Sequence, residues 1–544
     1  MAESQKDPMI PDGKVNPIDT DYKIGQDNVA LKIGPFGLDF HNRVFVISAT
    51  LIVAFVLLTI SFEKQAEVVF AGLRQWLTSN LDWFFLLSGN IFVLACILIV
   101  ISPLGKVRIG GTQAKPDYSY AAWFSMLFAA GMGIGLMFYG VSEPLAHFQS
   151  SMGGIVETDG VRTDWAPLGG AAQDAVKAQQ LAMSATIYHW ALHPWAIYAI
   201  LALGLAIFSF NKGLPLTVRS IFYPLLGERV WGWPGHIVDI LAVLATMFGL
   251  ATSLGLGSSQ AAAGLNYLFG ISESETLQII LIIGITAIAL SSVVAGLDGG
   301  VKRLSEINMI LAFLLLGFVI VVGPTLKILS GFFENLGSYL SYLPELSMPF
   351  GREDKNFSQG WTSFYWAWWI SWSPFVGMFI ARVSRGRSVR EFLIAVLIVP
   401  SLACTLWMTV FGNTTISQIV DQNYLAVTQG ELPVQIYLML EALPWAKVTC
   451  FLAMILVVIF FVTSSDSGSL VIDVITSGGK IDAPMPQRVF WATFEGLVAI
   501  ALVLGGGLVA LQAMAVSAGL PFTVVLLAAT ISTIKGISTE PRAS

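Results

Sequence analysis

Twelve runs of mainly apolar residues, at 44–62, 82–103, 121–148, 177–209, 236–266, 275–297, 305–330, 361–384, 391–412, 448–472, 488–506 and 508–534, set the terms for this 544-residue chain. A helix crosses a bilayer with about 20 apolar residues. In hydrocarbon only helices and closed barrels satisfy every backbone polar group. The runs therefore predict an all-α polytopic membrane protein with twelve transmembrane helices. With 55% hydrophobic and 12% charged residues and a mean hydropathy of +0.73, a water-soluble core is excluded. Membrane lipids are the expected surroundings, and nothing suits nucleic acid.

Counting spans alternately puts 21 of the 29 Lys and Arg on one side, which places both termini in the cytoplasm of a cell inner (plasma) membrane. Residues 1–43 read as a polar, mobile cytoplasmic tail without a signal-peptide pattern, 44–534 as the helical domain and 535–544 as a short cytoplasmic tail. Residues 63–80, EKQAEVVFAGLRQWLTSN, suit either a helix lying on the outer membrane face or a polar loop. Cys96, Cys404 and Cys450 fall in or beside spans and show no metal spacing. Asn413-Thr414-Thr415 matches a glycosylation sequon.

The most unusual run is Trp361 to Arg382, WTSFYWAWWISWSPFVGMFIAR, with five tryptophans in its first twelve residues. Membrane helices keep Trp mainly at the interfaces, yet Trp369 and Trp372 lie well inside this run. Tyr365, Trp369 and Trp372 recur at i, i+4 and i+7, so a helix gathers them on one face, a candidate binding wall. Pro374 removes a helical hydrogen bond and is expected to open the backbone towards a polar cavity. Aromatic faces and freed carbonyls suit a cation that has no N–H donors.

Other runs carry polar or flexible interruptions. AAGMGIGLMFYG places Gly131, Gly133, Gly135 and Gly140 in one span. Since Gly costs up to about 1 kcal/mol against Ala in a helix, the cluster implies close helix packing or local unwinding beside a ligand. HWALHPWAIY, residues 189–198, suits a proline-kinked helix with packed rings. ATMFGLATSLGLGSSQ holds Thr246 and Ser253, and a lone hydroxyl usually bonds its own helix. IFFVTSSDSGS continues a strongly apolar helix with Thr463, Ser464, Ser465, Asp466 and Ser467, hard oxygens that suit an alkali cation. Glu495 is a functional candidate at membrane depth or a helix-end carboxylate in water. Interrupted spans open two blocks of five, spans 3–7 (about 121–330) and 8–12 (about 361–534), as in inverted-repeat secondary transporters.

At AAGMGIGLMFYGVSEP, HWALHPWAIYAI and FYWAWWISWSPFVGMFIARVSRGRSVREF the chain resembles the betaine/choline/carnitine transporter family through all twelve spans. The resemblance implies an inverted five-plus-five repeat after two extra N-terminal helices, and a homotrimer. It also implies an aromatic box for trimethylammonium groups at Trp190, Trp195, Tyr198 and Trp369, with Trp372 adjoining. Phe364 and Trp368 match pathway-lining aromatics, Gly131, Gly133 and Gly135 the flexible pathway segment, and Ser253 a residue that meets the substrate carboxylate. Sodium is implied at Ala129, Met132, Phe460, Thr463 and Ser464. A second sodium is implied at Thr246 and Phe375, but Leu250 and Glu495 stand where threonines can contribute, which leaves room for a proton at Glu495. No cofactor is expected beyond sodium as the coupling ion.

The expected function is sodium-coupled import of a quaternary ammonium or sulfonium zwitterion, glycine betaine or dimethylsulfoniopropionate. Gly135, where choline carriers tend to have Asp, favours the zwitterion. Proton-coupled choline uptake and carnitine-type exchange are the alternatives within the class. A receptor or membrane enzyme is the alternative outside it, but no nucleophile–base pair or metal cluster is visible for an enzyme.

Overall fold

The computed structural model describes residues 10–33, 36–131, 133–295 and 302–542. A short antiparallel hairpin, β1 (Asn28–Ile33) and β2 (Phe36–His41), pairs Asn28 with His41 and precedes the helices. These are α1 (Val44–Ser61), α2 (Glu63–Ile101), α3 (Tyr120–Gly131), α4 (Ile134–Gly153), α5 (Ala175–Trp190), α6 (Leu192–Ala206), α7 (Tyr223–Leu226), α8 (Trp233–Phe269), α9 (Glu275–Ala295) and α10 (Lys302–Val322). There follow α11 (Thr325–Leu346), α12 (Lys355–Phe357), α13 (Ser363–Val383), α14 (Val389–Gln422), α15 (Ala426–Gln429), α16 (Gln435–Glu441), α17 (Ala446–Thr476), α18 (Met485–Leu504) and α19 (Gly507–Ser538).

The chain is an all-α polytopic membrane protein. Among the described residues ten helical segments are long and apolar enough to cross a membrane, and the bent pair α3 and α4 makes an eleventh. The aromatic run α13 is not among them. Its tryptophans, serines and Pro374 dilute its aliphatic content, and it is enclosed by α6, α8 and α19 rather than facing lipid. Burial sorts the helices. The Ala175–Asn211 segment is 94% buried, whereas α1 is 33% buried and α9 and α10 are 28% buried. Helices solvated by hydrocarbon need no protein cover on their apolar faces.

Several expectations change. Residues 63–80 are neither a surface helix nor a loop but the first half of the single 39-residue helix α2, which at about 1.5 Å per residue is far longer than a bilayer core needs. The run expected at 305–330 ends at Val322, because Gly323-Pro324 interrupts it, and α11 follows as a separate amphipathic helix. α13 is continuous through Pro374. The carbonyl of Ile370, four residues back, has lost its helical donor and accepts Ser373 Oγ at 2.7 Å instead. No backbone opens there, so the paired interruption of the third and eighth spans does not hold. The sequon residue Asn413 is buried, and its side chain donates to Lys327 O at 3.1 Å.

The N-terminal segment is fixed where it is described; residues 1–9, 34 and 35 lie outside the described residues. Asp12 N–H donates to Gly110 O at 2.8 Å, Lys212 Nζ to Asn16 O at 2.9 Å, Arg219 Nη2 to Tyr22 Oη at 2.7 Å and Asn28 Nδ2 to Ser477 O at 2.9 Å. These bonds tie residues 10–43 to the ends of several helices.

Candidate functional site

Pro194 has no N–H, so the carbonyl of Trp190, four residues back, lacks its helical donor. Helix α5 stops at Trp190, Ala191 takes φ −103° and ψ −118°, and α6 starts at Leu192. Indoles take the freed carbonyls. Trp195 Nε1 donates to Trp190 O at 3.2 Å, and Trp369 Nε1 of α13 donates to His189 O at 2.9 Å. The kink of α5 and α6 is thus the device that orients two rings from two elements.

The four expected box residues meet. Trp369 stands perpendicular to Trp190 (centroids 5.0 Å, 83°) and to Tyr198 (5.9 Å, 90°), and Trp195 is perpendicular to Tyr198 (5.3 Å, 76°). Trp368 stacks beside Trp369 at 5.3 Å and 21°. With Trp372 and the glycine run they line a cavity of ≈ 30 Å³, room for about one or two waters. The cage is closed, so a larger occupant enters only as the rings separate.

The glycine run makes that closure sterically possible. α3 and α4 meet at a 62° bend, where Gly133 is extended at φ −160° and ψ −178°. A Cβ on Gly135 would lie 2.7 Å from Trp190 Cη2 and 2.9 Å from Trp368 Cη2, and one on Gly131 would lie 3.1 Å from Trp195 Cζ2. The run therefore both unwinds and packs closely.

A second cavity of ≈ 520 Å³ adjoins the cage and shares Ala130 and Trp372 with it. Ala129, Phe375, Phe460, Thr463 and Ser464 line it, so five residues singled out for a cation converge. Thr463 Oγ1 donates within its own helix to Phe460 O at 3.0 Å, and among the described residues no donor reaches its lone pairs. Met132 lies outside the described residues. Thr246 is buried and donates to Ala242 O at 2.8 Å, away from the lining of this cavity.

Four further candidates line neither cavity. Ser253 is buried, donates to Gly249 O at 3.2 Å and lines neither cavity; the same carbonyl accepts Trp372 Nε1 at 3.0 Å. Phe364, expected beside the pathway, stacks on Trp368 at 5.5 Å. Tyr365 leaves the binding wall and donates to Glu143 Oε2 at 2.6 Å. Glu495 is buried, not in water. One of its oxygens accepts Ser465 Oγ at 2.8 Å and the other has no partner among the described residues.

Glu143 is the residue that sequence reasoning missed. Fully buried on α4, it accepts Trp190 Nε1 at 2.7 Å and meets His189 Nδ1 at 2.6 Å and His147 Nε2 at 3.3 Å. Its signal was present as an ionisable residue inside a span, in Gly140-Val141-Ser142-Glu143-Pro144, with His147 one helical turn on.

The profile of the BCCT, betaine/carnitine/choline family transporters, matches residues 43–542. The chain belongs to the betaine/carnitine/choline transporter family. Among similar proteins of Vibrio parahaemolyticus, a glycine betaine/proline/choline transporter is 71% identical over 98% of this chain and 97% of its own. Glycine betaine transporter 1 is 52% identical over 96% and 97% respectively. A glycine betaine transporter of Acinetobacter baylyi is 42% identical over 90% of this chain and 72% of its own. This betaine/carnitine/choline family member is therefore a multi-pass membrane transporter and not an enzyme.

Proposed function

We propose that the protein is a secondary active transporter that imports a trimethylammonium solute of the glycine betaine type by symport with sodium. The observation that carries this reading is the cage of rings from Trp190, Trp195, Tyr198 and Trp369, in which Trp369 stands edge-on to Trp190 and Tyr198, and Trp195 edge-on to Tyr198. A trimethylammonium head has no N–H to donate, and each desolvated ring contributes about 2 kcal/mol of cation–π attraction. Relatives named for glycine betaine support the assignment, and dimethylsulfoniopropionate presents a comparable methylated cation. The coupling sodium is assigned to the cavity lined by Ala129, Phe460, Thr463 and Ser464, with Phe375 beside it and both termini cytoplasmic in an inner membrane. A homotrimer of two five-span repeats per subunit is part of the same reading. The test is uptake of labelled glycine betaine into proteoliposomes, with and without a sodium gradient, against unlabelled choline, proline, carnitine, ectoine and dimethylsulfoniopropionate.

A second reading is proton-coupled uptake, with choline as substrate. Glu495, a buried carboxylate with one unpartnered oxygen, favours it. Accumulation on a pH gradient without sodium, abolished by Glu495→Gln, distinguishes it from sodium coupling.

A further inference from the structure

A carboxylate offers about four acceptor positions, and Glu143 uses all of them. Its Oε2 accepts Trp190 Nε1 at 2.7 Å and Tyr365 Oη at 2.6 Å, while its Oε1 faces His189 Nδ1 at 2.6 Å and His147 Nε2 at 3.3 Å. The donors come from α4, α5 and α13. His189 Nε2 in turn meets Thr362 Oγ1 at 2.9 Å, just ahead of α13. Three ligand atoms of Glu143, His147 and His189 lie within 4.8 Å of one another. The 2.6 Å contact, however, is a hydrogen bond with no space for an ion between its partners.

The consequence lies in what these donors are attached to. Trp190 is a wall of the cage and is held directly. Its carbonyl holds Trp195, and the carbonyl of the neighbouring His189 holds Trp369. Fixing the His189–Trp190 pair at the end of α5 therefore fixes three indoles at once. Tyr365, pinned to the same carboxylate, stacks on His189 at 4.6 Å and 20° and locks α13 against α5.

The geometry points to Glu143 as the positioning residue of the aromatic cage: one buried carboxylate that does not itself line the cage sets the orientation of Trp190 and, through the backbone of residues 189 and 190, of Trp195 and Trp369. This inference rests on the quaternary ammonium reading of the cage. Charge itself is not required. In Glu143→Gln the amide oxygen accepts Trp190 Nε1 and Tyr365 Oη, while the amide N–H groups face the two imidazoles, which accept in their other tautomers. In Glu143→Asp the carboxylate falls one methylene short of its donors.

The test measures KM and Vmax for glycine betaine uptake, and Kd by calorimetry, for the full-length parent, Glu143→Ala, Glu143→Asp, Glu143→Gln, Trp190→Phe and Trp190→Phe combined with Glu143→Ala. The expected result for Glu143→Ala and Glu143→Asp is a rise in KM and Kd of about tenfold or more with Vmax within about twofold, and Glu143→Gln within about threefold of the parent. Because Phe has no indole N–H to hold, the double variant is expected to be no worse than Glu143→Ala alone. Should Glu143→Ala fail to fold, the Asp and Gln pair decides alone. Loss in Glu143→Gln equal to that in Glu143→Asp, additive losses in the double variant, or KM and Vmax worsening together each overturns the positioning role. A parent that binds neither glycine betaine nor choline overturns the reading of the cage itself, whereas a parent that binds alongside an unaffected Glu143→Asp overturns only the positioning.

Discussion

Trp369 is the wall most open to a direct test, since its ring meets one ring from α5 and one from α6. It contacts Trp190 at 5.0 Å and Tyr198 at 5.9 Å, and it is half-buried where Trp190 and Tyr198 are 2% and 1% exposed. Trp369→Ala removes one desolvated cation–π wall, about 2 kcal/mol, which corresponds to a roughly thirtyfold rise in Kd. It also strips His189 O of its 2.9 Å indole donor. That orphaned carbonyl costs about 1–3 kcal/mol, but free and bound protein both carry the penalty, so it lowers stability and leaves affinity alone. Trp369→Phe keeps a π face and most of the packing and loses the donor, so it should lower Tm less than Trp369→Ala does while raising Kd less than tenfold. Calorimetric titration of detergent-purified protein with glycine betaine and with choline gives Kd, and a melting curve gives the stability arm. A folded Trp369→Leu protein that binds glycine betaine within twofold of the parent would refute the cage.

Thr463→Ala with Ser464→Ala is expected to abolish sodium-driven accumulation while weak substrate binding survives. Accumulation by the double variant on a sodium gradient alone, measured in proteoliposomes, refutes that site and moves attention to Glu495. Gly135→Ala drives a Cβ into Trp190 and Trp368, at 2.7 and 2.9 Å, and is expected to weaken every quaternary ammonium substrate. Gly135→Asp adds a carboxylate as well and is expected to shift preference towards choline; an unchanged choline-to-betaine ratio in competition uptake refutes this. His41 lies ahead of α1, where burial and then the Arg219 charge push its pKa from 6.5 down to about 3. The unfolded chain therefore binds more protons between those values, stability falls as pH drops from about 6.5 towards 3, and His41→Phe should flatten the slope of Tm against pH in that window.

The parts of the site that follow a helical period were legible in the sequence. Trp369 and Trp372 fall on one wall because four and seven residues span a helix face, and the glycine run announced a bend. What periodicity does not report is the third partner. Tyr365 shares that period, yet Glu143 pulls it behind the wall, and Glu143 lies 222 residues away in the chain. Ser253 was assigned to the substrate by resemblance, but Gly249 O is one turn away and captures its hydroxyl. Pro374 looked like a break, and the adjacent Ser373 repaired it. At Pro194, by contrast, α5 and α6 did part. The first half of α2 escaped recognition because its charges resemble a loop, and residues 10–43 because composition says nothing of Gly110, Lys212 and Arg219 waiting for them.

These pieces bear on how two ligands favour one state, which symport requires. The cage is built from α3, α4, α5, α6, α13 and α14, and the larger cavity from residues of α3, α10, α13 and α17. α13 belongs to both, through Trp369 on one side and Phe375 on the other, with Trp372 shared. Among the described residues the other shared one is Ala130, one position before the last residue of α3, at the 62° bend. Under the proposed coupling, a cation between α3 and α17 fixes the segment on one side of that bend, and a substrate head fixes α13 against the segment on the other. Each ligand then restricts the same joint, so whichever arrives first lowers the conformational loss left for the second. Coupling of this kind needs no contact between sodium and substrate, only that the bend and α13 move as one, and the shared lining at Ala130 and Trp372 is where the two are joined.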